Sequence, residues 1–540
     1  MATLPVSATT FYIRTDGGTP TQCTGLVDAP FPGTGTGQPC AWSHPFWALP
    51  PGGIQTPLIS SGDSLMIGPG SYMIGYGAPN TGDCGAEWAF DCTMAPVPPG
   101  VSAAQPTRIL GFGWDTGCGN APELWGTERV WQVLDLTGST HVEVACLEIT
   151  DHSGCVEFHS GGLACERDTP PFGPWAGVGI VSSDATGVTL RDLDIHGLAS
   201  TGVLAGRLTD WTVEDVRIAA NGWAGWDGDI DGTDANSGTL TFRRWVVEWN
   251  GCAETYPSLA PTGCWAQSAG GYGDGVGTGF TGGTWVIEDS RFNYNTSDGL
   301  DLLYLGDPSG RVEIRRVEAR GNAGNQVKTQ GTTVIENSVI VGNCGFFDGQ
   351  PFTFNVDNCR ALGNALSMNF QAGTQSSLVN STLYSEGDCI VLIGGSGCNG
   401  SESLVSRNNI FVGDIDFLTP SDLTCFAYND GCPGTPLDQD WGVIFNVKNN
   451  PCPVGPNDLC GDPLLLDRAG DTFDAHLTPT SPARDTGLPV GGLIPDHDFE
   501  GNPRPIGPEV DRGAFELSRD LPFADGFETG DLSAWSAVYP

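Results

Sequence analysis

Lysine is almost missing from this chain: two residues of 540, Lys328 and Lys448, against 21 arginines. Long apolar runs are missing too. No stretch is long enough to span a bilayer, so membrane insertion is not expected. No Cys-x-x-Cys pair or Cys/His cluster has the spacing of a zinc site. No Gly-x-Ser-x-Gly elbow joins a strand to a helix, and no Rossmann or P-loop pattern stands at such a junction. Nucleotide and redox cofactors, and a Ser-His-Asp hydrolase, are thereby excluded. Bases are scarce against acids, 23 to 64, for a formal charge of -41. A surface of that sign excludes nucleic acid as a partner and excludes anionic membranes. An anionic polysaccharide stays open, because arginines and divalent cations reverse the field locally.

What the chain does have is glycine (78), proline (39) and cysteine (18), without the three-residue period of collagen. Taken in order, the cysteines form nine couples. Most are close in sequence, such as Cys84 with Cys92, Cys155 with Cys165, Cys252 with Cys264, Cys389 with Cys398, Cys425 with Cys432 and Cys452 with Cys460. This spacing suits local disulfides in an oxidising compartment, secreted or periplasmic. The expectation is an export signal removed before the first residue, with Met1 added for expression. A monomer is expected.

From about residue 126 the sequence falls into short β-rich runs: 188–197, 211–218, 240–247, 285–292, 311–318, 333–340 and 377–383. Apolar and polar residues alternate within each run, and a polar pair often interrupts the middle, which reads as strand, bend, strand. No amphipathic helix of useful length lies between the runs, so βαβ units are not expected. Most runs start roughly 20 to 30 residues apart, a period that predicts an all-β, right-handed parallel β-helix, a single-stranded solenoid with projecting loops. Residues 1–125 are expected to form a capping and loop region and 126–450 the core. Residues 451–520 would be closing coils and cap, and 521–540 a tail. Asn221, Asn295, Asn322, Asn343 and Asn364 are expected at turns, in left-handed backbone or as caps. An insertion at about 226–280 interrupts the rhythm. Projecting loops carry binding work on such scaffolds, so Trp226, Trp265 and Tyr272 are candidate platforms for sugar rings.

Asp298 and Asp301 share one turn, and Asp274 lies 24 residues earlier, about one coil. Stacked coils bring residues one period apart to the sheet spacing, about 5 Å. Three carboxylates would then converge into a hard oxygen site of the kind that takes Ca²⁺. A second acidic group, Asp227, Asp229, Asp231 and Asp234, offers further ligands. Its Asp-x-Asp-x-Asp-Gly spacing lacks the glutamate of a calcium loop, since Gly238 stands there. Lys328 follows this segment. A compact amine with a movable pKa beside cation-holding carboxylates is equipment for taking a proton from a sugar acid.

The segment Ser297-Asp298-Gly299-Leu300-Asp301, followed by Gly321-Asn322-Ala323-Gly324-Asn325-Gln326-Val327-Lys328, resembles the motifs of the family 9 polysaccharide lyases, pectate-lyase-like β-helix enzymes. The resemblance covers about 100 residues at motif level and the coil architecture more broadly. It implies that Asp274, Asp298 and Asp301 bind calcium and that Lys328 is the Brønsted base. Ser297 stands where the family has its first aspartate, and Thr329-Gln330-Gly331 replaces a glycine-rich continuation. The implied reaction is β-elimination on a uronic acid polymer. Arg315, Arg316 or Arg320 would hold the substrate carboxylate or lower the pKa of Lys328 by like charge. The segments 481–487 and 501–516 resemble the end signature of secreted bacterial β-helix proteins, which implies a bacterial source. Other readings of the same scaffold remain: a glycoside hydrolase using Asp298 and Asp301, an epimerase served by His152 or His159, and a non-catalytic carbohydrate-binding adhesin.

Overall fold

The polar pair in the middle of each β-rich run is a corner. Asp192, Asp215, Arg244, Asp289, Arg316, Asn337 and Asn380 follow one another coil by coil, all with φ between 44° and 54°. One left-handed residue turns the strand direction without ending the ladder. Thr212–Ala219 spans such a corner. It pairs in parallel with Thr189–His196 on one side, and with Thr239–Arg243 and Val246–Glu248 on the other. The computed structural model describes residues 8–517, other than 52–54, 83, 85–91, 127–129, 154–174, 231–235, 255, 257–260, 266–271, 307–309, 415–423 and 449–450. Repetition of the corner builds a right-handed parallel β-helix. Its faces are a sheet of 23 described strands, folded at the corners, and a second sheet of ten.

The ten-stranded sheet matters most for function. Its inward row runs Val203, Trp226, Val276, Leu300, Val327, Leu366 and Val391, all buried. Each such side chain contributes roughly 1.5–3 kcal/mol by leaving water. The adjacent outward row runs Asp227, Gly277, Asp301, Lys328, Ser367, Leu392 and Tyr428. Register therefore sets acids and the rare lysine on one line, one residue per coil.

Inside the turns leading to this sheet runs a ladder of buried amides. Asn221 Nδ2 donates to Asn250 Oδ1 (3.0 Å), Asn250 Nδ2 to Asn295 Oδ1 (2.9 Å) and Asn295 Nδ2 to Asn322 Oδ1 (2.8 Å). Asn364 Nδ2 donates to Asn325 Oδ1 at 2.9 Å. The left-handed role expected of Asn221, Asn295, Asn322, Asn343 and Asn364 thus belongs to the corner residues. Asn221, Asn295 and Asn322 instead satisfy buried backbone groups of neighbouring coils, whereas the Asn364 backbone N–H and Nδ2 both donate to Asn325 Oδ1. Asn343 donates to Asp471 (3.2 Å).

The coils begin earlier than the change of composition suggests. Thr10–Gly18, Ser64–Ile67 and Thr107–Gly111 are successive parallel strands that lead to Val142–Asp151. The 226–280 insertion is also smaller than expected, because Thr239–Arg243, Val246–Glu248 and Val276–Thr278 are coil strands. What projects is a hairpin of Cys252–Glu254 and Pro261–Trp265, joined by Thr353–Asn355 from a later loop. The Cys252–Cys264 and Cys344–Cys359 disulfides staple this lobe. Beyond residue 460 the chain folds back along the solenoid's flank, where Leu465, Phe473, Leu477 and Phe515 pack on Val339, Val341, Tyr384 and Ile410. The tail from 518 lies outside the described residues.

Eight disulfides are described. The expected Cys389–Cys398 and Cys425–Cys432 couples are corrected to Cys389–Cys425 and Cys398–Cys432. Cys389 and Cys425 are register partners on adjacent strands, so this bond ties coil to coil. Cys155 and Cys165 lie outside the described residues. Among the described residues no helix is long and apolar enough to cross a membrane.

Candidate active site

Asp274 and Asp298 occupy equivalent turn positions on successive coils, each two residues before a strand of the ten-stranded sheet, in the register Val276–Leu300. The Asp298 backbone N–H donates to Asp274 Oδ1 at 2.9 Å. Asp298 Oδ1 in turn accepts from the Asn325 backbone N–H (2.6 Å) and Nδ2 (3.1 Å) on the next coil. Asp301 lies on the strand Leu300–Leu302 directly beside Lys328, and its Oδ1 accepts from the Leu303 N–H at 2.8 Å. The 24-residue spacing thus spans one full coil. Two glycines keep the site open: a Cβ on Gly324 would stand 2.3 Å from Asp298 Oδ1, and one on Gly277 would stand 3.0 Å from Asp274 Oδ2.

Lys328 Nζ donates to Asp298 Oδ2 at 2.9 Å and to Asp301 Oδ2 at 2.6 Å. Carboxylate oxygens of Asp274, Asp298 and Asp301 lie within 4.8 Å of one another, and all three residues are buried. Burial, then the charges of Asp298 and Asp301, push Asp274 up to about 7. Burial pushes Asp301 up to about 6, against the pull of Lys328. Asp298 is equally buried, yet Lys328 and the Asn325 hydrogen bonds hold it below the ordinary carboxylate value. Burial by itself would lower the Lys328 pKa, but Asp298, Asp301 and Asp274 outweigh it and raise it. The amine is therefore an ammonium ion while these carboxylates are its only counter-charges.

A cavity of about 330 Å³ opens over the cluster, lined also by Asp227, Asp229, Thr278, Tyr304 and Arg360. Burial, then Asp229, raises Asp227 to about 6. The second acidic group therefore adjoins the first site and walls the same cavity, as far as Asp227 and Asp229 go. Asp231 and Asp234 lie outside the described residues. Arg360 and Tyr304 were not legible as site residues. Arg360 directly follows the loop closed by Cys344–Cys359, and its Nη1 donates to Ser297 Oγ at 2.9 Å. Tyr304 follows the Asp301 strand and is 56% exposed.

The remaining candidates go elsewhere. Arg315, Arg316 and Arg320 belong to the other sheet and its corner, and none lines the cavity. Arg315 pairs with Glu288, Glu313 and Glu336, and Arg316 with Asp289. Arg320 donates to the Phe473 carbonyl. Period-two alternation points these arginines away from the ten-stranded face. Trp226 reaches the cavity floor, but its ring is buried among Trp211, Phe242 and Trp245 in the solenoid interior. Tyr272 is buried edge-on to Trp223. Trp265 belongs to the stapled hairpin and is not part of the cavity wall. These rings build the lobe and the core. His152 is stacked between Trp125 (4.2 Å) and Tyr256 (3.7 Å), with Nε2 2.6 Å from Glu123 Oε1. His159 lies outside the described residues.

No family model matches the sequence, and no curated protein does. Solved structures do. The pectate lyase Pel9A is 14% identical, covering 95% of this chain and 98% of its own, at a TM-score of 0.43. The similar solved structures include polysaccharide lyases, epimerases and a surface adhesin of Streptococcus pneumoniae. An alginate lyase from Paenibacillus sp. str. FPU-7 is 15% identical over 71% of this chain and 92% of its own, at 0.32. The A-module of the Azotobacter vinelandii mannuronan C-5 epimerase AlgE6 is 10% identical over 74% and 91%, at 0.35.

The donor set fits a hard divalent cation such as Ca²⁺. It consists of three converging carboxylates, with no thiolate or imidazole among them, and two of the three are driven toward neutrality by burial and mutual repulsion. Asp274, Asp298 and Asp301 would hold it.

Proposed function

We propose that this protein is an exported lyase that cleaves a uronic-acid-containing polysaccharide by β-elimination. The observation that carries this reading is one amine, Lys328, hydrogen-bonded to two members of a buried carboxylate trio at the floor of an open cavity. A bound Ca²⁺ supplies positive charge that offsets a uronate carboxylate and the charge that develops beside it.

Once other positive charge offsets Asp298 and Asp301, Lys328 releases its ammonium proton to solvent, and the neutral amine takes the C5 proton of a uronate ring. The electron pair forms the C4–C5 double bond as the C4–O bond breaks. The departing oxygen takes a proton from solvent and becomes a hydroxyl on the other fragment, while the C5 proton stays on Lys328, so no water is consumed. Asp298 and Asp301 hold the amine at the cavity floor. Arg360 lines the cavity while its Nη1 donates to Ser297 Oγ, and its guanidinium places positive charge beside a substrate carboxylate. Eight described disulfides accord with an exported protein.

The test is a panel of uronate polymers, with Ca²⁺ and with chelator, followed by the ultraviolet absorbance of the unsaturated product. Absorbance that grows with wild type and is lost in Lys328→Ala is the expected result. New reducing ends without absorbance would replace this reading with hydrolysis. Binding with neither would replace it with a carbohydrate-binding module.

A further inference from the structure

The chain's two lysines both line hollows along one face of the solenoid. Lys328 lines the carboxylate cavity and also a second hollow of about 550 Å³, which passes Ser367 and Leu392. A third, of about 510 Å³, includes Tyr428 and Lys448 in its wall. The second hollow reaches Gly394 and Asp430, and the third includes their chain neighbours Ile393 and Asn429, so the two adjoin along the strands.

Register gives this face a scale. Lys328 pairs with Ser367, Ser367 with Leu392 and Leu392 with Tyr428, all in parallel. Tyr428 therefore stands in the outward row of Lys328, three strand steps away, or about 14 Å. It is 52% exposed. One pyranose ring with its linkage advances an extended polysaccharide by about one strand step, so a chain laid along this row sets one sugar near each coil. A tyrosine ring offers a sugar a flat apolar face with a polar edge. Lys448 adds an ammonium group in a chain of net charge -41.

Resting on the uronate reading above, we infer that Tyr428 and Lys448 form a distal subsite. It binds a uronate residue of the same polymer about three sugars from the ring at Lys328, Tyr428 by stacking and Lys448 by pairing with the carboxylate. The protein then grips long chains better than short ones.

Binding is measured by titration calorimetry in the Lys328→Ala background, where substrate is not consumed. The probes are trimers and heptamers of galacturonate, mannuronate and guluronate. The heptamer of the recognised sugar is expected to bind more tightly than its trimer. Tyr428→Ala and Lys448→Gln are each expected to reduce the heptamer-to-trimer affinity ratio by about tenfold, the order expected for loss of one interface anchor. Tyr428→Phe, which keeps the ring, is expected to retain most of that ratio and serves as the folding control. Equal affinity for trimer and heptamer, or a ratio unchanged in both truncated variants, overturns the subsite and leaves the uronate reading standing. Failure of every oligomer to bind overturns the uronate reading itself, and the subsite with it.

Discussion

Lys328 Nζ stands between Asp298 Oδ2 and Asp301 Oδ2, 2.9 Å and 2.6 Å away, in the place where a cation held by those carboxylates would compete with it. Ammonium and metal thus draw on the same negative charge.

Lys328→Ala separates the two. If the amine is the base, product formation falls by about 10²–10⁴-fold, the usual contribution of a positioned proton acceptor. Calcium affinity moves the opposite way and rises, because a competing positive charge has gone. Calorimetric Ca²⁺ titration of both proteins checks this. Weaker Ca²⁺ binding in the variant would show that the amine is not a competitor at the carboxylates.

Arg360 is expected to act on binding more than on turnover. Its guanidinium reaches the cavity rim from the stapled loop and donates to Ser297, while Lys328 holds the floor. Arg360→Ala should raise KM about tenfold with a smaller change in kcat, because a contact made equally in ground and transition states affects KM. Steady-state kinetics on the active polymer separates the two. A fall in kcat alone would assign Arg360 to the chemical step.

The amide ladder is a stability element. Asn295 Oδ1 accepts from the Asn250 N–H and Nδ2, while Asn295 Nδ2 donates to Asn322 Oδ1 and the Val247 carbonyl. Asn295→Ala leaves several buried groups without partners, at roughly 1–3 kcal/mol each. A loss of about 3 kcal/mol in urea unfolding is expected. A change under 1 kcal/mol would mean that water enters the gap.

His196 joins the projecting hairpin to the solenoid. Its Nδ1 lies 2.6 Å from Glu254 Oε1 and its Nε2 3.1 Å from Glu148 Oε1, so both nitrogens donate only in the imidazolium form. Burial alone would lower its pKa, yet the hydrogen bonds to Glu148 and Glu254 outweigh it and raise the pKa to about 9. A raised folded-state pKa stabilises fully below the unfolded value near 6.5, and the gain is lost as pH rises through about 9. The contribution is on the order of 3 kcal/mol. Unfolding of wild type and His196→Gln at pH 6, 8 and 10 should show a gap that closes at the highest pH. A constant gap would rule out the ion pairs as its source.

The solenoid was legible because its signal repeats: alternation with a polar pair at mid-run recurs in many of the coils, and those pairs are left-handed corners. Asp274, Asp298, Asp301 and Lys328 were legible as neighbours because Asp274 and Asp298, and Asp301 and Lys328, are one coil apart and Asp298 and Asp301 are close in sequence, so no long-range contact had to be guessed. Arg360 was hidden, since its approach depends on where a disulfide-closed loop folds. Arg315, Arg316 and Arg320 misled for a related reason. They sit only 8 to 13 residues before Lys328, within one coil, but a coil has several faces, and theirs is the wrong one. Trp226 misled because an aromatic in a loop-rich stretch resembles a platform, whereas its strand register turns it inward. The disulfides Cys389–Cys425 and Cys398–Cys432 follow adjacency between coils, which nearest-neighbour pairing along the chain does not capture.

The trio of acids and its amine belong to the repeating backbone, whereas Arg360 arrives on a stapled appendage outside it. The carboxylate–amine cluster and the cavity rim are thus carried by separate parts. The appendage can be exchanged by insertion or deletion while the carboxylate–amine cluster keeps its dimensions, so under the proposed lyase reading a change of polymer need not be a change of chemistry.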